Sequence, residues 1–202
     1  MTRDLVEHVE AHLGTMVGGW GNQGDIPVAM FPNQPRPGIA TYSTLGLSKK
    51  PLPLPLPLPG GRTVRQELVV SVDASYDPKI VASFLITFAD YIRKQDRALL
   101  RGDVVGPSEP LIPGVKARAV YAAIPVFFSD EFATFRGSEP PTVFVWLIPL
   151  PAEDAEYVKA TGWESFEDGL EKADINFWNL DRPPLDRLSD IHNCDRRDVA
   201  CS

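Results

Sequence analysis

Proline stands at every second position from Pro51 to Pro59, with leucine between, and the run closes on Gly60-Gly61. Each proline fixes φ and removes a backbone donor, so the stretch fits neither a helix nor the middle of a sheet. An extended, polyproline-like arm is the conformation left to it. The chain has 20 prolines in 202 residues, which predicts short, interrupted elements joined by rigid connections.

The elements around the arm are mixed in kind. Thr2 as a cap, then Leu5, His8, Val9, His12, Leu13 and Met16 at helical spacing, predict an opening amphipathic helix that stops near Gly14. Gly18-Gly19-Trp20-Gly21 reads as loop. Ile26–Phe31 and Gly38–Thr44 read as an extended pair joined by the turn chemistry of Pro32 to Pro37. After the arm, the β-branched alternation from Val64 to Val72 predicts a strand. Asp77-Pro78 supplies a cap and an N1 proline for a long helix with the stripe Val81, Phe84, Leu85, Phe88, Tyr91 and Ile92, closed by Gly102. Strands follow near Arg118–Phe128 and Thr142–Pro149. Pro151 then opens a helix with Glu153, Asp154 and Glu156 in its first turns, where the dipole favours negative charge. Gly162 interrupts it, and Trp163, Phe166, Leu170 and Ala173 continue as a second amphipathic helix. Mixed rather than alternating elements predict an α+β fold, a mixed, mostly antiparallel sheet with helices packed on it. One domain over residues 1–185 is expected, with residues 186–202 a polar, flexible tail.

Charge and cysteine usage exclude several function classes. The formal net charge of -7 repels a phosphate backbone, so no nucleic-acid partner is expected, and the same field steers a basic protein towards the chain. Cys194 and Cys201 are the two cysteines, with six residues between them, which matches neither a redox nor a zinc spacing and points to a reducing compartment. Met1 to Leu5 carries no signal-peptide pattern. Val143 to Leu150, the longest apolar run, falls far short of the ~20 residues that span a bilayer. A cytoplasmic protein without a membrane partner is the expectation.

Residues that carry chemistry do not assemble in the sequence. His8 and His12 share a helix face at i, i+4, but Glu10 is misplaced for HExxH, and both border the apolar stripe as boundary residues of the core. His192 lies beside Cys194 without a four-ligand pattern. There is no nucleophile elbow and no P-loop, and the glycines of Gly18 to Gly24 lack the strand and helix that a dinucleotide site requires. Pairs such as Glu153/Asp154 and Glu167/Asp168 read as solvated helix charge. No catalytic residue, no metal and no cofactor are expected. The Pro-Leu arm keeps two readings, a rigid apolar segment that docks into a partner groove, or a repeat-expanded loop without a role.

Several stretches, in order, resemble the Suppressor of fused family. These are the helix Leu5 to Gly14, the run Thr41-Tyr42-Ser43-Thr44-Leu45-Gly46-Leu47-Ser48 followed by Pro51-Leu52, and the strand Arg65-Gln66-Glu67-Leu68-Val69. A carboxy-terminal block completes them: Val145 to Leu150, Glu153, Glu156-Tyr157, Gly162-Trp163-Glu164, Phe166 and Asp181-Arg182. The resemblance spans Leu5 to Leu185 and departs at the Pro-Leu repeat, where members of the family carry a short link.

The resemblance implies a non-enzymatic, protein-binding domain. Animal members hold a transcription factor inactive, and compact bacterial members are assigned as immunity proteins against toxins, so a cognate toxin is the expected partner. A hydrolase with an unrecognised site and a scaffold for a transcriptional regulator are the alternatives. Within the matched stretches, Thr44, Gly46 and Ser48 are expected to form a tight turn whose hydroxyls bond backbone donors. Glu67 and Arg182 are expected to pair internally and, beside Asp181, to orient the carboxy-terminal segment. Trp20, Trp163 and Glu164 are the expected partner contacts, since aromatic anchors carry a disproportionate share of binding energy. If the arm is an exposed insert, deleting Leu54 to Leu58 leaves the melting temperature nearly unchanged. A loss of several degrees shows that its leucines are buried.

Overall fold

The computed structural model describes residues 3–21, 23–55, 61–173 and 175–185. In chain order its elements are α1 (Arg3–Leu13), β1 (Gly18–Trp20), β2 (Val28–Pro32), β3 (Ile39–Thr44), a one-turn 3-10 helix (Leu47–Lys49), β4 (Leu52–Pro53), β5 (Thr63–Asp73), α2 (Pro78–Gln95), β6 (Val104–Val105), β7 (Ala119–Ala123), β8 (Thr134–Phe135), β9 (Thr142–Leu150), α3 (Ala152–Thr161) and α4 (Trp163–Lys172). They form two compact units, Met1–Asp103 with Ala122–Ile148 and Val104–Tyr121 with Pro149–Ser202.

The first unit is built on the strand path β1-β2-β3-β5-β9, with β4 on β5 and β8 on β9. Neighbours run antiparallel except β5 and β9, which are parallel from Arg65↔Thr142 to Val69↔Trp146. The architecture is the expected α+β one. β3 is buried along its whole length and β9 nearly so; β9 accordingly reads as a continuous apolar run, whereas β3 buries Thr41, Ser43 and Thr44, with the Thr41 and Thr44 hydroxyls bonded to Ser71 and Glu67 of β5. On one side Leu5, Val9 and Leu13 of α1 pack with Phe31, Val69, Phe132, Phe135 and Phe144. Strand alternation points Leu68, Val70 and Val72 the other way. α2 packs against β1, β2, β3 and β5 and buries Val81, Leu85, Phe88 and Ile92 of the predicted stripe.

The second unit holds the β6–β7 hairpin pairing, Val104↔Tyr121 and Val105↔Val120, and the two short helices. Gly162 sits between α3 and α4 at φ 89, and its amide closes the first helix on the Val158 carbonyl at 2.9 Å. A positive φ is open to glycine at no steric cost, which explains the break that the sequence places there.

Four expectations are corrected. Gly18–Trp20 is an edge strand, not a loop: the Trp20 ring lies over Gly18, where an added Cβ would meet it at 2.9 Å. α2 stops at Gln95 rather than Gly102, because Asp96 takes the left-handed conformation at φ 49 and is held by Lys50 at 2.7 Å. The strand read as running to Phe128 ends at Ala123, and Pro125 begins a turn in which Val126 and Phe128 donate to the carbonyls of Ile124 and Pro125. The arm begins as a paired strand, β4, in which Leu52 is 1% exposed. Proline is accommodated because the strand is two residues long, and Pro53 accepts from the Ala98 amide while Leu54 donates to Arg62. Leu56–Gly60, the Thr2 cap, and the tail with His192, Cys194 and Cys201 lie outside the described residues.

His8 and His12 flank one aromatic cluster. His8 stands 5.3 Å from the Phe135 ring and 5.6 Å from that of Phe144, with Nε2 at 3.2 Å from the Phe132 carbonyl. His12 Nδ1 meets the Ser129 hydroxyl at 3.0 Å. Among the described residues no group of three or more His, Cys, Asp and Glu side chains is placed to hold a metal.

Two measurements check this packing. Leu52→Ala should lower unfolding free energy by about 2–5 kcal/mol, the range for truncating a buried leucine, read as a fall in the urea midpoint at unchanged slope. Burial holds the His8 imidazole below its ordinary 6.5, against the opposing hydrogen bond to Phe132. A depressed folded-state value means that the unfolded chain binds the proton first, so this contribution is complete above pH 6.5 and is lost as pH falls through the folded value. His8→Leu should remove that part of the acid-side slope of stability against pH.

Candidate protein-binding site

Three consecutive side chains of β5 do three different jobs. The Glu67 carboxylate, 0% exposed, accepts from the amides of Gly46 (2.8 Å), Leu47 (3.3 Å) and Ser48 (3.2 Å) and from the hydroxyls of Thr44 (2.5 Å) and Ser48 (2.6 Å). Thr44 Oγ1 also receives the Leu68 amide at 2.8 Å. Two residues earlier, on the same face of the strand, Arg65 Nη1 donates to the carbonyls of Ser48 (2.7 Å) and Lys49 (2.9 Å), while its Nε and Nη2 reach the Glu139 carbonyl at 3.3 Å. The 3-10 turn thus has its positive amide end on an anion and its negative carbonyl end on a cation, the arrangement its dipole favours. Gln66, facing the other way, takes both backbone groups of Leu99: its Nε2 donates to the carbonyl at 2.8 Å and its Oε1 accepts the amide at 2.9 Å. Burial pushes the Glu67 carboxyl up from its ordinary 4.5, and the hydroxyl and amide donors oppose that shift. With its lone pairs spent on the turn, this carboxylate is an architectural group.

The same face as Gln66 forms the floor of an apolar groove of about 400 Å³, lined by Val64, Leu99, Leu100, Val143 and Val145, with Leu54 also on the wall. Ile124 and Pro125 stand at its margin. Among the described residues seven large apolar side chains are exposed, and three share this turn: Ile124 at 47%, Val126 at 69% and Phe127 at 44%. Phe127 is propped edge-on against the Trp146 ring at 5.2 Å. Clustered exposed apolar surface beside a groove marks an interaction site, whereas scattered residues do not. Acids follow directly: Asp130 and Glu131 are exposed, and the Asp130 carbonyl accepts from the amide of Ala133, itself a groove residue.

The sequence-predicted residues fall differently. Thr44, Gly46 and Ser48 do form one turn with Glu67, but their hydroxyls donate to its carboxylate, and of the two only Thr44 receives a backbone amide. The expected Glu67–Arg182 pair is not formed. Arg182, in the second unit, has Asp154 of α3 as its ion partner at 2.7 Å, both side chains buried. The Asp154 carboxylate also accepts the Leu185 amide at 3.0 Å, and Asp181 accepts the Lys116 amide at 2.9 Å. These contacts tie residues 180–185 to their own unit. Trp20 is half-buried beside Tyr42 in the first unit, Trp163 is half-buried at the start of α4, and Glu164 next to it is exposed. The groove and its apolar turn were missed by sequence reasoning. Their one signal was Pro125 inside an apolar run, which disfavours a central strand.

An α+β scaffold with an apolar groove beside an exposed turn fits a protein-binding domain, and not every buried polar atom is spent on architecture, since Arg182 Nε and Nη2 have no hydrogen-bond partner among the described residues. The family model described as Suppressor of fused protein (SUFU) matches residues 23–183, and the chain belongs to that family. In fold it is similar to a SUFU homolog from Neisseria gonorrhoeae, with a TM-score of 0.69 at 14% identity, covering 91% of this chain and 95% of that one. A chain of the Sufu–Fu complex gives 0.67 at 13% identity over 98% and 96% of the two chains. Drosophila Suppressor of Fused gives 0.63 at 14% identity over 88% of this chain and 47% of that one. No match was found among the curated proteins. No helix among the described residues is long and apolar enough to cross a membrane.

Removing the clamp should be costly in proportion to the donors it strands. Glu67→Ala leaves three amides and two hydroxyls without their acceptor and should destabilise the chain by about 3–5 kcal/mol, the range for breaking a buried charged network. Arg65→Lys keeps the charge but cannot reach three carbonyls with one planar fork, and should cost on the order of 1–2 kcal/mol. Chemical denaturation of both variants checks the order.

Proposed function

We propose that this chain is an immunity protein that binds a cognate toxin in the cytoplasm and neutralises it by covering the toxin's working surface. The observation that carries this reading is the exposed apolar turn Ile124–Phe127 at the margin of the apolar groove. A masking protein needs a surface rather than a reactive group, and stable complexes bury roughly 800 Å² per partner. The net charge of -7 supports a basic partner, since complementary fields raise association rates. A fold relative crystallised in a Sufu–Fu complex supports protein binding as the use of this architecture. Trp20 of the first unit, and Trp163 and Glu164 of the second, are proposed as further contacts, with Glu164 the exposed one.

The test is co-expression with the product of the adjacent reading frame in a host that this product kills. The chain should restore growth and co-elute with the toxin, and association should slow as salt is raised. Growth arrest in the presence of the folded chain, with no complex on a sizing column, would falsify the proposal.

A further inference from the structure

We infer that α1 is an acid-released latch: the imidazoles of His8 and His12 seat it, while neutral, on the segment that follows the exposed turn, and mild acid unseats it. The inference stands apart from the masking reading and holds whichever partner the chain binds. Two side-chain hydrogen bonds join the helix to that segment. His8 Nε2 lies 3.2 Å from the Phe132 carbonyl and His12 Nδ1 lies 3.0 Å from the Ser129 hydroxyl. The two rings meet edge-on with centroids 4.8 Å apart. Ser129 and Phe132 follow closely on Ile124–Phe127, so these imidazoles pin the downstream end of the apolar turn. Below them Leu5, Val9 and Leu13 complete the seat against Phe132, Phe135 and Phe144.

The two rings have different surroundings. A charged His12 faces Glu131, whose carboxyl is held below its ordinary value by its own backbone amide first, then by the Ser129 hydroxyl and by His12. A charged His8 meets phenyl rings instead, with Phe132, Phe135 and Phe144 at 6.3, 5.3 and 5.6 Å. The remaining charged groups around it, Asp4 on α1, Asp130 on the turn and Arg136 after β8, are exposed to water. His12, one turn along α1, adds a like charge when protonated. A proton on the seated His8 is therefore a charge among aromatic rings without an anion, which costs more than one hydrogen bond returns. Lifting α1 brings the ring back to water. Burial and, after it, the His12 charge hold the seated imidazole below 6.5, against the Phe132 hydrogen bond. The lifted helix thus binds the proton first, so seating is complete above pH 6.5 and is lost as pH falls through the seated value. Gly14 to Val17, the link to β1, is exposed throughout, so α1 can open without the sheet.

The test is hydrogen exchange of the full chain, read by mass spectrometry at about pH 7.5 and about pH 5 and corrected for the intrinsic effect of pH on exchange. Peptides from α1 should exchange roughly tenfold faster in acid, while those from α2 keep their protection. His8→Gln retains an N–H for the Phe132 carbonyl and does not titrate, and His8→Phe extends the ring cluster. Each should abolish the acid response of α1, and His12→Gln, which removes the neighbouring charge alone, should shrink it. Equal protection of α1 at the two pH values overturns the inference, as does a response that survives both His8 substitutions. Acceleration of α1 and α2 in step also overturns it, because the chain is then unfolding as a whole.

Discussion

The first unit turns on one electrostatic arrangement, a carboxylate and a guanidinium two residues apart on one strand gripping the opposite ends of a single 3-10 turn. Residues i and i+2 of a strand lie about 6.6 Å apart, and three residues of 3-10 helix rise ~6 Å, so Arg65 and Glu67 match the length of Leu47–Lys49. The peptide dipoles of the turn stand between the two charges and let both be buried or half-buried without direct contact. A lone buried carboxylate would cost several kcal/mol; here five donors offset that cost. The turn is thereby fixed on the strand, and with it the path from β3 into β4.

Alternation along the same strand then separates two functions, gripping the turn and flooring the groove. Arg65 and Glu67 face the turn, while Val64 and Gln66 face the groove, and their neighbours on β9 divide likewise into Phe144 on the α1 side and Val143 and Val145 on the groove side. Gln66 belongs to both functions. By replacing a strand partner for Leu99 it anchors the segment after α2 as one wall. The Gln66 amide spends an N–H and a carbonyl lone pair on Leu99, which lessens the polar character of the groove floor.

Legibility in the sequence followed the range of each interaction. The Asp77 cap with Pro78 at N1, the Gly14 and Gly162 breaks and the apolar run of β9 are local signals, and the structure places them as read. Glu67 and Arg182 drew notice as charges among apolar residues, but opposite sign was a poor guide to pairing. Glu67 is satisfied by amides some twenty positions away in sequence, which carry no side-chain signature, and Arg182 pairs with Asp154 through Nη1 while its Nε and Nη2 have no hydrogen-bond partner among the described residues. In sequence Asp154 reads, like Glu153, as solvated first-turn charge that the helix dipole favours, yet it is buried, because a first-turn acid can face inward as readily as outward. Trp20 looked like a loop anchor because its glycines suggested freedom; those glycines instead admit the ring onto Gly18.

The division of labour on β5 also determines what change the fold can absorb. Ile124, Val126 and Phe127 lie beyond the last hydrogen-bonded residue of β7, and the first two contribute exposed surface without filling the core. Substitutions there alter what the groove receives without touching the clamp, since distant sites with no shared partners add independently. Substitutions at Glu67, Thr44 or Ser48 do the reverse, because each shares a partner with the others. The residues that fix the fold and those exposed beside the groove share no partner, so the exposed turn can change while the architecture that presents it stays.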